Sequence, residues 1–173
     1  MCYSFLISNK EVTNLQKKDT GTWLKAIILM ATVISIVLVA ILAPFLGKEI
    51  INTNPELTFI FWPSLIFIWI TSLPLFVSFY LFYLITQKII DDKPFDEKNV
   101  NRLIIVSRLA LLEAGLYLFA LIMLIILGVF YISLLLIIII VMFIALAMAV
   151  ITAILAHLVD KARRIEIENE LTI

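Results

Sequence analysis

The sequence predicts an all-α integral membrane protein with four transmembrane helices and both termini in the cytoplasm, and three observations predict it. Hydrophobic residues make up 64% of the 173 and charged residues 15%, against roughly 45–50% and about 25% in soluble domains. A surface that apolar is at home only against lipid. The apolar residues lie in long uncharged runs separated by short polar segments, and twelve of the thirteen Lys and Arg fall in alternate segments, counting from the N-terminus. That alternation is what the positive-inside rule produces in a four-span chain. Residues 1–173 are therefore expected to form a single four-span membrane domain, with the lipid bilayer as its first partner.

The first span is expected over about 24–46, after a cytoplasmic segment 1–23 that contains Lys10, Lys17 and Lys18. Ala26 to Gly47 has no charge, matching the roughly 20 residues a bilayer core requires. Trp23 sits where an interfacial anchor belongs, and Pro44 falls near the far end, where stopping a helix costs little. The uncharged run between Lys25 and Lys48 exceeds the about 7–15 residues of a signal-peptide core, so it counts as a span.

The second span is expected over about 60–86, with Pro63 in its first turn and Tyr80 and Tyr83 near the other interface. Pro74, in its interior, frees the Ile70 carbonyl, and the hydroxyl of Thr71 or Ser72 is expected to compensate as the helix kinks.

The loop 87–100 contains a turn-forming proline followed by a helix start. Asp96 is the expected N-cap of helix three, Glu97 adds negative charge at the positive end of its dipole, and Phe95 is placed to staple against Val100. Between Leu103 and Val159 only Arg108 and Glu113 are charged. This length holds two spans, about 101–127 and 131–158, joined at Gly128 with Phe130 and Tyr131 as interface aromatics. A polar tail, 159–173, follows. Lys48 alone of the basic residues lies on the exoplasmic side, which leaves no room there for a folded receptor domain.

Catalytic chemistry has little to work with. One Cys and one His, with four Gly, provide no metal cluster, no nucleophile triad and no phosphate-cradling loop. No catalytic, cofactor-binding or metal-ligating residue is assigned, and with a net charge of zero no direct nucleic-acid binding is expected.

Three residues inside or beside the spans carry the functional candidates. Glu113, about three turns into helix three, costs about 2.5–3.5 kcal/mol near mid-bilayer. It is either a proton-accepting carboxylate or cation ligand, or a structural group satisfied by Tyr117 or by Ser78. Arg108 either snorkels to the cytoplasmic interface or pairs with Glu113. His157 is either an interfacial side chain or a titrating member of an Arg108, Glu113, His157 cluster. Small residues at helical spacing, Ala145, Ala149 and Ala153 against Ser107, Ala110 and Ala114, are expected to join spans three and four, with a homodimer as the sharper alternative. The tail IEIENELTI is either a fraying helix end or a docking peptide for a soluble partner.

The loop DDKPFDEKNVNRL, the four-span layout and the terminal ENELTI resemble a bacterial four-span membrane family of unknown function, the YoaS-like proteins. The specific parts are Pro94 and Phe95, the cap at Asp96, the helix start at Asn99 and Val100, and the closing Leu171, Thr172 and Ile173. The resemblance implies a bacterial plasma membrane and, because such proteins are often encoded beside a small helix-turn-helix regulator, a regulatory role with that cytoplasmic partner. It implies no catalytic residue. A non-enzymatic regulator is therefore expected, with candidate partner-binding residues Pro94, Phe95, Asp96, Asn99, Leu171, Thr172 and Ile173. The competing expectations are a small proton-coupled transporter using Glu113 and an immunity protein against a membrane-active peptide.

Overall fold

The computed structural model describes residues 21–90, 96–128 and 131–170, and every regular element among them is helical. Four helices are long and apolar enough to cross a membrane: α1 over Gly21–Thr53, α2 over Thr58–Ile90, α3 over Glu97–Ile126 and α4 over Ile132–Glu170. Helix is the form that satisfies each backbone donor and acceptor within its own segment, which lipid demands. The protein is thus a multi-pass helical membrane protein.

Pro44 does not stop α1. A π-helical turn, Leu38–Leu42, directly precedes it, and the Ala43 amide donates to the Leu38 carbonyl. The wider turn accommodates a ring that would clash with the carbonyl of residue 40 in a regular helix. The helix ends at Asn54, whose amide donates to the Ile50 carbonyl at 2.9 Å. A short 3-10 turn, Pro55–Leu57, then leads into α2.

Within α2 two expectations change. The helix begins at Thr58, so Pro63 lies inside it rather than in its first turn. Neither hydroxyl beside Pro74 reaches the Ile70 carbonyl: Thr71 donates to the carbonyls of Phe67 and Ile68 at 3.0 and 3.1 Å, and Ser72 to that of Trp69 at 2.7 Å. A helical hydroxyl reaches carbonyls three and four residues back, and Ile70 is only one and two residues from these two.

Asp96 caps α3 as its position predicts. It has extended backbone, φ −66° and ψ 138°, and its carboxylate accepts from the Lys98 amide at 3.2 Å. The staple partner Phe95 lies outside the described residues. Gly128 turns the chain after α3 with φ +71°, the left-handed conformation that Gly adopts without the Cβ penalty.

The helices pack in series. Lys25 Nζ lies 5.6 Å from the Tyr83 ring centroid, and Gly47 approaches Phe61 so closely that an added Cβ would stand 2.8 Å from its ring, so α1 and α2 run antiparallel. Phe67 meets Tyr117 edge-on at 5.5 Å, and Arg102 Nη1 donates to the Leu84 carbonyl at 3.1 Å, which pairs α2 with α3. The α3–α4 pair is the most extensive. By contrast, no residue in the apolar window of α1 is buried, and beyond its far end the Tyr131 hydroxyl, just before α4, donates to Asn54 Oδ1 at 2.8 Å.

The α3–α4 seam defines the core. Val106, Ala110 and Ala114 of α3 and Ala145, Ala149, Thr152 and Ala156 of α4 are buried. Spacings alternate between three and four on α4, the period of a sustained helix–helix seam. Ala153, grouped with Ala145 and Ala149 by its four-residue spacing, is exposed instead. Each four-residue step rotates the position by about 40° around the helix, so the third member has left the interface and Thr152 replaces it.

Candidate functional site

The antiparallel packing gathers the basic residues at one end. Lys25, Lys88, Lys98, Arg102, Lys161, Arg163 and Arg164 lie where α1 and α3 begin and where α2 and α4 finish, while Lys48 lies toward the opposite end. Side chains at that basic end are organised by local chemistry first. Asn99 and Arg102 stand one turn apart on α3, and Arg102 Nη1 donates to Asn99 Oδ1 at 3.0 Å while reaching across to α2. Asn99 is 1% exposed. It is held within the helix packing, where it orients Arg102.

Between α3 and α4 the same end carries an ionic network. Arg163 Nη1 meets Glu97 Oε2 at 3.0 Å, and Arg163 Nη2 and Arg164 Nε meet the two Asp160 oxygens at 3.3 and 3.0 Å. Lys88 Nζ lies 3.7 Å from Asp96, tying α2 to the start of α3. The Arg164 guanidinium, with Arg163 beside it, holds the Asp160 carboxyl below the usual carboxylate range; the Lys98 amide does the same for Asp96, aided by nearby Lys88. A carboxyl lowered in the folded state contributes stability that is fully present above its ordinary value of 3.8 and is lost as the pH falls through the lowered one. Acidification through that window is expected to loosen the basic end before the spans melt. Tryptophan or spin-label probes placed there should report the change, and Asp160→Asn should diminish it. An unchanged transition in the variant would refute this assignment.

Beside the network an open groove of about 510 Å³ runs between α3 and α4. Glu97, Asp160 and Arg163 stand around it with Arg108 and His157, and Ile104, Ser107, Ala153 and Ala156 form its apolar and small-residue walls. The Ser107 hydroxyl is engaged with the Ala149 carbonyl at 2.9 Å.

The sequence candidates separate in this arrangement. Arg108 and His157 line one groove, whereas Glu113 lies deeper on α3, outside it, so the three do not form one cluster. No Arg108–Glu113 pair forms among the described residues. Glu113 is half-buried, and neither expected partner serves it: the Tyr117 hydroxyl lies 3.4 Å from Thr71 Oγ1, and Ser78 donates to the Pro74 carbonyl. The tail is helical through Glu170, with Ile165 and Ile167 exposed. Pro94, Phe95, Leu171, Thr172 and Ile173, with Phe130, lie outside the described residues.

Arg163, Asp160 and Arg102 went unassigned in the sequence. The Asn99–Arg102 spacing signals that contact in principle, but nothing local links Glu97 to Arg163 across 66 positions.

Fold and site together define a multi-pass helical membrane protein with an ion-paired network at one end of its helices. Residues 45–173 match the family described as a protein of unknown function, DUF2975, and the chain belongs to that family. No curated protein and no solved structure matches it.

Proposed function

We propose that this protein is a non-enzymatic, YoaS-like regulator of a bacterial plasma membrane, with both termini cytoplasmic, and that it holds a soluble cytoplasmic protein at its basic end. The partner class is a small helix-turn-helix transcription regulator. The observation that carries this reading is the length of α4. Its 39 residues extend roughly 58 Å at 1.5 Å per residue, about twice the 30 Å of a hydrocarbon core. The excess stands beyond the membrane as a helix with both signs of charge and with Ile165 and Ile167 exposed, braced at its base on Glu97 through Arg163. A rigid helix that presents apolar side chains in water gains by seating them in a partner's groove.

Affinity capture of the full chain from solubilised membranes, compared with a chain lacking residues 165–173, tests it. The expected result is recovery of a DNA-binding regulator with the full chain and a loss of about tenfold or more on truncation. Recovery that ignores the truncation, or no regulator with either chain, overturns the proposal.

A further inference from the structure

We propose that the groove between α3 and α4 is a binding site for an anionic phospholipid, with its phosphate held by Arg108 and His157 and the start of an acyl chain lying against the small and apolar walls between them. The register of the two helices sets up the convergence. Glu97 meets Arg163 and Ser107 meets Ala149, so His157 is rooted nearer the basic end than Arg108. Helical side chains lean toward the N-terminus of their own helix. On α3 that direction carries the Arg108 guanidinium up toward the headgroups; on α4, which runs the other way, it carries the His157 ring down. The two therefore approach one another across the same groove, which both line.

Charge favours an anion there. The carboxylates of the groove, Glu97 and Asp160, are already engaged by Arg163 and Arg164. Arg108 and His157 form no hydrogen bond or ion pair among the described residues, and Arg163 Nε is buried without an acceptor. An imidazole offers an N–H in either protonation state, and a guanidinium offers several. Between the roots of these two donors the walls are Ile104, Ser107 and Ala153, small or apolar side chains that suit the first carbons of a lipid tail. Basic recesses between membrane helices near one interface suit anionic headgroups in this way.

The test is native mass spectrometry of the full chain released from detergent, titrated with dioleoyl-phosphatidylglycerol and with dioleoyl-phosphatidylcholine. Phosphatidylglycerol is expected to bind more tightly, and Arg108→Gln to weaken that preference about five-fold, with a smaller loss for His157→Gln. Ala153→Leu, which fills the furrow without touching a charge, should weaken phosphatidylglycerol binding, while Lys161→Gln, exposed and outside the groove, should leave it unchanged. Far-ultraviolet circular dichroism verifies that each variant is helical. Equal binding of the two lipids, or a preference that survives both Arg108→Gln and Ala153→Leu, overturns the site. Displacement of phosphatidylglycerol by equimolar inorganic phosphate would overturn the lipid assignment in favour of a free anion.

Discussion

Ala149→Leu is expected to be the most damaging single substitution in the membrane-spanning region, lowering stability by about 1–3 kcal/mol. Ala149 is 6% exposed in the α3–α4 seam, and its carbonyl accepts from Ser107 of the facing helix at 2.9 Å. That hydrogen bond requires the two backbones to lie close, which only small side chains permit. A leucine side chain at this point would push α4 away from α3, break the Ser107 contact and disturb the neighbouring buried Val106 and Ala110. Ala153→Leu, four residues along and exposed, should cost much less. Unfolding in mixed micelles, followed by circular dichroism against the mole fraction of dodecyl sulfate, measures both. Equal losses for the two substitutions would contradict the seam described above.

Glu113→Leu is expected to act in the opposite direction, stabilising the spanning region by about 1–3 kcal/mol on insertion scales that penalise mid-bilayer carboxylates and favour leucine. Glu113 is half-buried and has no hydrogen-bond or ion-pair partner among the described residues, so removing it sacrifices no hydrogen bond or ion pair. Such a cost, left standing in a span, is the observation that favours a second function, a small proton-coupled transporter. The two readings part on flux. If Glu113 moves protons, Glu113→Gln should abolish pH-gradient-driven uptake in proteoliposomes while leaving the fold intact. We expect the unaltered chain to show no such uptake across a panel of lipophilic cations and small metabolites, and uptake abolished by Glu113→Gln would replace the regulator with a transporter.

Hydropathy and capping chemistry made much of this architecture legible in the sequence, because both act over a few neighbouring residues. An uncharged run of about 20 residues is helical in lipid whatever surrounds it, so two such runs and the longer, sparsely charged stretch after Leu103, with room for two spans, were enough to indicate four membrane-capable helices. The cap at Asp96 and the turn at Gly128 were legible for the same reason: one needs a carboxylate beside free amides, the other a residue that tolerates positive φ. Tertiary structure decided what depends on the facing helix. Periodicity alone grouped Ala153 with Ala145 and Ala149, but the seam rotates with the three-and-four alternation and takes Thr152. The hydroxyls of Thr71 and Ser72 followed the geometry of their own helix back to nearby carbonyls and left Ile70 aside. Glu97 and Arg163 became neighbours only because α3 and α4 run antiparallel, which brings chain positions 66 residues apart to one end of the bundle. The groove belongs to the same class: Arg108 and His157 both line it because the antiparallel packing of α3 and α4 sets residues 49 positions apart on one face of the pair, which no run of residues encodes.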